Sequence, residues 1–214
     1  VSGPIDQTRC INTLITPIVF TLGGGATNAT VTGLPPGVTY IVAGTTLTIT
    51  GTPTSTAASP YIYTIVTSGN TCVVADTTGT IVVEPVHTIT LEPGSVTDQS
   101  VCVNTAITPI VYTLGGGANN VTVTGLPAGV NYVVAGNIVT ISGIPTTTLP
   151  SPLFSYSIVT TGNTCLVANA SGTIKVNPYP VPMFAVDKPG YCIPNAVVKF
   201  NNSSTVSDGS SMTY

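Results

Sequence analysis

Charge is what this chain has least of. Only 5% of its residues are Asp, Glu, Lys or Arg, against about 25% in an ordinary soluble domain. Lys and Arg together number 4, and the formal net charge is −3, so there is no clustered basic track of the kind nucleic acid demands. Trp is absent and His occurs once. A Ser–His–Asp or Cys–His relay requires an imidazole beside a nucleophile, and His87 sits alone in an alternating strand pattern, where a solvated or hydrogen-bonded structural role is expected. No apolar run reaches the 18 residues of a membrane-spanning helix, and no stretch carries a helical hydrophobic period. These absences exclude most catalytic, nucleic-acid-binding and membrane-spanning readings, and the segment is expected to have no enzymatic activity, bound cofactor or metal.

What is present is β-forming residues and punctuation. Thr fills roughly a fifth of the chain, Val and Ile are frequent, and 22 Gly and 18 Pro interrupt them every few residues. β-branched side chains suit a pleated surface and are mediocre in helices. Thr, Ser and Asn take the polar positions that Lys and Glu usually hold. Such a surface hydrates well and offers little repulsion between molecules.

The chain also repeats itself. Cys10 to Pro85 returns as Cys102 to Pro178, 92 positions later through Pro60 and 93 thereafter, with about two positions in three identical. Ile15-Thr16-Pro17-Ile18, for example, recurs as Ile107-Thr108-Pro109-Ile110. A unit of this length is too long for a solenoid repeat and fits a β-sandwich. Within the first copy, strands are predicted over Ile15–Leu22, Ala29–Gly33, Val38–Val42, Leu47–Thr50, Tyr61–Val66 and Thr80–Val83, with turns at Gly23-Gly24-Gly25, Leu34-Pro35-Pro36-Gly37 and Ala43-Gly44-Thr45-Thr46. The second copy begins with an alternating strand, His87-Thr88-Ile89-Thr90-Leu91, whose counterpart in the first copy is expected to precede Val1. The fold class expected is all-β: tandem immunoglobulin-like sandwiches in an extended array, divided into 1–85, 86–178 and the start of a third sandwich at 179–214. Short proline-bearing joints, Pro85-Val86 and Asn177 to Pro182, favour a stiff rod. The chain begins and ends inside modules, as a window on a longer polypeptide would.

Of the five cysteines, Cys10 and Cys102 share one repeat position and Cys72 and Cys165 another. Equal phase predicts disulfides within modules, Cys10–Cys72 and Cys102–Cys165; four free buried thiols are the alternative. With no CxxC and one His, zinc has little to bind. Disulfides imply an oxidising compartment, hence an exported protein. Cys192 is left over, its partner expected beyond Tyr214.

The repeat motifs resemble those of Ig-like modules in very large cell-surface proteins of Bacteroidetes, flavobacteria especially. The shared pattern is Cys102-Val103-Asn104-Thr105, Ile107 to Ile110, Gly115 to Gly117, Gly125 to Val130 and Gly143-Ile144-Pro145, the last departing from Gly51-Thr52-Pro53 of the first copy. The Gly-Leu-Pro-x-Gly segment is also similar to a bacterial Ig (cadherin-like) module. Cys192-Ile193-Pro194-Asn195 followed by Val198 to Ser204 resembles the opening of a polycystic-kidney-disease (PKD) domain, whose Trp-x-Phe-Gly-Asp-Gly motif is not within the sequence. The resemblance implies a gliding-motility adhesin of the SprB type, exported by the type IX system to the bacterial cell surface. The partners it implies are external surfaces or polysaccharide, neighbouring repeats and the secretion and motility machinery. A glycan-binding or spacer module of a secreted multidomain enzyme is the alternative.

Three smaller sites have candidate residues. Calcium at the first joint would draw on Glu84, Glu92 and Asp98, but the acids are scattered and calcium wants several oxygens together. Asp76-Thr77-Thr78 resembles the Bacteroidetes O-glycosylation pattern, with Thr77 the acceptor; an ordinary turn is the competing reading, and the second copy has Asn169-Ala170-Ser171 there. An isopeptide is disfavoured because Lys175 is matched by Val82.

Overall fold

The structure, a computed structural model, describes residues 1–69, 73–148, 153–186 and 198–206. Its elements are all strands: β1 (Gln7–Cys10), β2 (Ile18–Thr21), β3 (Asn28–Thr32), β4 (Val38–Ala43), β5 (Thr46–Gly51), β6 (Tyr61–Ser68), β7 (Asp76–Glu84), β8 (His87–Leu91), β9 (Asp98–Cys102), β10 (Ile110–Gly116), β11 (Ala118–Thr124), β12 (Val130–Ala135), β13 (Ile138–Gly143), β14 (Leu153–Gly162), β15 (Asn169–Asn177), β16 (Phe184–Val186) and β17 (Phe200–Asn202). The first copy builds sheets β1-β7-β6-β3 and β2-β5-β4; the second builds β11-β14-β15-β9 and β12-β13-β10-β8; β16 pairs with β17. This is an all-β, Ig-like tandem array, as the strand pattern predicted. The chain forms two compact units. The first is Val1–Ile89 with Leu114–Asn120 and Thr160–Ala168; the second is Thr90–Thr113, Val121–Val159 and Asn169–Tyr214.

Alternation decides what is buried. In β3, β5 and β6 every second residue faces inward, placing Ala29, Val31, Leu47, Ile49, Tyr61, Tyr63 and Ile65 in one core. The second copy repeats the set, with Ile110, Val139, Ile141, Ile158, Ile174 and Val176 each buried to 2% exposure or less. Each such Ile or Val stabilises by about 1.5–3 kcal/mol. The other faces carry Thr, so a sheet of very low charge remains amphipathic.

The repeated motifs have local causes. Asn12 and Asn104 both lie at φ 61°, a left-handed geometry that Asn tolerates. Their N–H groups donate to Pro53 O and Pro145 O at 2.8 Å, so Cys-x-Asn-Thr is fastened to the Gly-x-Pro corner. In Gly-Leu-Pro-x-Gly both glycines have positive φ, and a Cβ on Gly33 or Gly37 would sit 2.2 or 2.1 Å from a carbonyl oxygen. The Asp-Gln pair is a double clamp. Asp6 and Asp98 accept the N–H of Thr80 and Thr173, while Gln7 and Gln99 bond both backbone groups of Thr16 and Thr108. A strand parallel to β7 or β15 is thereby tied to the chain entering the opposite sheet.

The strand pattern missed β1 and β9, which are short and half-polar, and began β7 too late. The triple glycine also behaves differently in the two copies. Gly23 to Gly25 is a turn, whereas Gly115 and Gly116 extend β10, because β8 lies alongside and supplies a partner.

Tyr63 and Tyr156 anchor the cores. Each stands opposite a glycine, Gly79 or Gly172, where a Cβ would meet the phenol oxygen at 2.3 or 2.4 Å. The Tyr63 hydroxyl donates to Ile5 O at 2.9 Å. Burial, and then the Asp6 carboxylate, push the Tyr63 phenol up to about 12; burial and the Tyr112 hydroxyl push Tyr156 the same way. A folded-state value above the unfolded value of about 10 means stability that is full below pH 10 and lost as pH rises through 12. We therefore expect the melting temperature to fall across pH 10–12, with a smaller fall in Tyr63→Phe. At neutral pH that variant loses one hydrogen bond, about 1 kcal/mol. Gly79→Ala should cost more, about 1–3 kcal/mol, through overpacking against Tyr63 and Ile5 O. Thermal melts of the three proteins check all of this; equal stability of Gly79→Ala would refute the packing argument.

Candidate functional site

Two features stand out once the core is accounted for: a linked polar group at one end of the first compact unit, and exposed apolar positions on the edge strands.

The first is built around the chain leaving β7. Cys10 pairs in register with Glu84, the last residue of β7, and its sulfur bonds Cys165. Residues 163–166 then hold the segment after Glu84. Asn163 Nδ2 donates to Pro85 O at 2.9 Å, the Asn163 Oδ1 accepts from Cys165 N at 2.9 Å, and His87 N donates to Leu166 O at 3.0 Å. The buried His87 ring lies 2.9 Å from Thr160 Oγ1 through Nδ1 and 3.0 Å from Asn163 Oδ1 through Nε2. Because Oδ1 can only accept, Nε2 carries a proton; Nδ1 and Ala168 O both face the Thr160 hydroxyl, which has a single hydrogen to share between them. The imidazole is thus engaged through both ring nitrogens in hydrogen bonds to neighbouring side chains.

This overturns the pairing expected from repeat phase. The bond is Cys10–Cys165, not Cys10–Cys72 or Cys102–Cys165, and Cys102 is an exposed free thiol. The reason is strand length. Cys102 faces Asn177 at the end of β15, while Cys165 precedes the start of that strand at Asn169, roughly 27 Å away along nine residues. Cys10 lies beside Glu84, at the C-terminal end of β7. Cys72 and Cys192 lie outside the described residues.

The remaining candidates are dispersed. Asp98 is occupied by Thr173 N and Oγ1, Glu92 accepts from Thr113 Oγ1, and Glu84 lies 3.9 Å from Cys165 Sγ. Among the described residues no three His, Cys, Asp or Glu come together. Thr77 is exposed on β7 opposite Ile65; its segment is strand, not the turn that was the competing reading. Thr77 also lines a 390 Å³ cavity with Phe20, Leu22, Gly24, Ile65 and Thr67.

The second feature was not foreseen. β4 and β12 are sheet edges. Ile41 on β4 and Val133 on β12 are each 64% exposed, and occupy the same register, opposite Thr48 and Thr140. Natural edges are usually blunted by Lys, Pro or an inward charge. Val38–Ala43 and Val130–Ala135 contain none of these. The signal in the sequence was an apolar residue breaking alternation at one repeat position in both copies.

The chain matches no protein-family model. It is 37% identical over 164 residues to a "Serine-rich adhesin for platelets" of Staphylococcus aureus strain MRSA252, covering 74% of this chain and 12% of that protein; the USA300 protein of the same name is equally similar, with 7% covered. The chain thus spans about a tenth of the length of these relatives or less. Among solved structures it is similar to titin domains I67–I69 in a mutated variant, with a TM-score of 0.59 at 16% identity over 82% of this chain and 65% of the other. It is also similar to protocadherin gamma B2 cadherin domains 3–6, with a TM-score of 0.50 at 13% identity over 95% and 55%. At such identities these likenesses establish the tandem Ig-like fold. No helix among the described residues is long and apolar enough to cross a membrane.

The corrected pairing gives a direct check. Alkylation without reduction should label Cys102, and digestion should yield a peptide linking Cys10 to Cys165. Recovery of a Cys102–Cys165 peptide would restore the intramodule scheme. Closing a loop of 155 residues corresponds to about 5 kcal/mol in the chain-entropy model, so reduction should lower the melting temperature markedly.

Proposed function

We propose that this chain is a structural and adhesive repeat segment of a large bacterial cell-surface protein, without catalysis of its own. One observation carries the reading: the same uncharged edge strand, with one exposed apolar β-branched residue, occurs in both copies. An edge strand offers unpaired N–H and C=O groups to any surface with complementary hydrogen bonding, and Ile41 or Val133 adds apolar area. With 5% charged residues there is little repulsion to oppose approach. Each contact is weak, and repetition makes the sum strong. The similarity to a staphylococcal adhesin and the tandem Ig-like fold support this, since such modules set binding surfaces out from a cell.

The finer reading follows from the resemblance of the repeat motifs. It places the parent protein outside the cell in Bacteroidetes, exported by the type IX system and serving gliding motility, with residues 179–214 opening a PKD domain. Its partners are external surfaces or polysaccharide, and neighbouring repeats. Thr77, exposed on β7, is the proposed O-glycosylation acceptor.

Adsorption to glass and to polysaccharide-coated surfaces tests the edge-strand claim. Ile41→Lys and Val133→Lys each remove about 1 kcal/mol of apolar contact, about a fivefold loss in affinity per site, and the double variant should lose more than either. Both positions are solvent-facing, so melting temperatures should hold. Unchanged adsorption by the folded double variant would rule out β4 and β12 as the adhesive surfaces.

A further inference from the structure

Along the outer strands β4 and β12, the backbone groups that face outward can be assigned one by one. Ala43 pairs with Thr46 across a two-residue turn, and at the other end of the ladder Thr52 N donates to Gly37 O at 3.0 Å. Hydrogen-bonded pairs recur at every second residue of an antiparallel ladder. Gly37, Thr39, Ile41 and Ala43 therefore direct their backbone groups to β5, and those of Val38, Tyr40 and Val42 point away from the sheet. Val38 N is held by Pro35 O at 3.0 Å. The complete N–H and C=O pairs on the open rim are those of Tyr40 and Val42. The second copy is built alike. Ile144 N donates to Gly129 O and Val130 N to Pro127 O, both at 3.0 Å, which leaves Tyr132 and Val134 on the rim of β12.

Between those free pairs stands the exposed residue, Ile41 or Val133. Such an edge is complementary to itself. Laid antiparallel about a two-fold axis at Ile41, two copies of β4 bring Tyr40 opposite Val42 and Val42 opposite Tyr40. Each of these pairs exchanges N–H···O=C bonds in both directions. Ile41 then faces Ile41 at the non-hydrogen-bonded position, where Cα atoms approach to about 4.5 Å and side chains lie closest. Thr39 and Ala43 flank Ile41 on the same exposed face. They fall opposite each other and are small enough to leave the isoleucines in contact. Asn131, Val133 and Ala135 repeat the arrangement on β12. A register shifted by one residue would set Ile41 against Thr39 and call on the Val38 N–H that Pro35 O already holds.

We infer that β4 and β12 pair with the corresponding edge strands of a second copy of this chain, antiparallel and in the register centred on Ile41 or Val133. This rests on the adhesive reading of the same edges and names their partner. A two-fold contact sets one surface against itself, so any charge on it would meet a like charge, and like charges opposite each other destabilise a strand pair. Neither edge strand carries a charged residue, which removes that obstacle. The area sets the strength. A strand of 6 residues is about 20 Å long, and a seam of that length buries far less than the roughly 800 Å² per partner of a stable dimer. One seam therefore gives a reversible, concentration-dependent association, and chains with many repeats are joined by the number of seams.

Sedimentation velocity of the whole chain over a concentration series reads the association directly, and it should rise reversibly with concentration. Ile41→Lys/Val133→Lys and Ile41→Glu/Val133→Glu should each weaken it at least tenfold with melting temperatures unchanged, because like charges then meet across the axis. An equimolar mixture of these two variants should regain association, since the register sets position 41 or 133 of one chain against the same positions of the other. In a Cys102→Ser background, oxidation of Ile41→Cys should yield a peptide joined to itself at position 41, and Thr39→Cys should yield no such dimer. A chain that stays monomeric to its solubility limit, charged variants that associate like the parent, or a mixture that does not recover would each overturn the proposal. Adsorption of the same proteins to glass separates it from the adhesive reading. A monomeric parent whose Lys variant adsorbs less removes self-pairing and leaves adhesion in place. Lost association with unchanged adsorption does the reverse.

Discussion

Every sheet in this chain is governed by what pairs with its outer strand. A β-sandwich of this size buries one face of each sheet against the other, and hydrophobic alternation suffices for that. The edges are a separate problem, since their N–H and C=O groups need partners or guards. Here the guards that charge would provide are nearly absent, so the edges are settled by pairing or left open. β1 and β9 close one sheet of each copy in parallel with β7 and β15, and the Asp-Gln clamps hold them there. β8 closes the other sheet of the second copy. In the first copy β2 is four residues long and the glycines that follow it form a turn.

The same constraint explains why the motifs sit where they do. Cys-x-Asn-Thr, Gly-Leu-Pro-x-Gly and Gly-x-Pro lie at the corners where the chain passes from one sheet to the other. Each contains a residue that only Gly or Asn fills without strain, and each hydrogen-bonds to another corner. The Tyr–Gly pairs do the corresponding work inside: a large ring laid over a missing side chain ties the opening loop to the last strands. These positions are mutually dependent: a Cβ on Gly79 would meet the Tyr63 hydroxyl at 2.3 Å.

Much of the fold was legible because alternation and turn chemistry are local. β4, β5, β6 and β8 fall within a residue or two of the strands expected from sequence. β1 and β9 were missed because four or five residues such as Gln7-Thr8-Arg9-Cys10 carry no apolar period; they become strands through pairing with residues some 75 positions away, which sequence pattern does not encode. The disulfide failed for a related reason. Repeat phase says that two cysteines are equivalent between copies; it says nothing about which end of the sandwich each occupies. The length of β15 decides that, and it separates Cys102 from Cys165. The exposed Ile41 and Val133 were readable in principle, since both break alternation at one repeat position, but an apolar residue in a strand is ordinarily taken for core.

Low charge and open edges together set the character of the surface. A protein with abundant Lys and Glu discriminates between partners by repulsion as much as by attraction. A surface of Thr, Ser and Asn has little to repel with, and its hydroxyls exchange water for other hydrogen-bonding groups at small net gain. Any one contact made through β4 or β12 is therefore weak and undemanding of its partner. Selectivity has to come from geometry: which edges are covered, by which strand, and in what register. The His87–Thr160–Asn163 group illustrates the point, since a single buried imidazole with two hydrogen-bond partners ties the start of one strand to its neighbours in a chain with few charged residues.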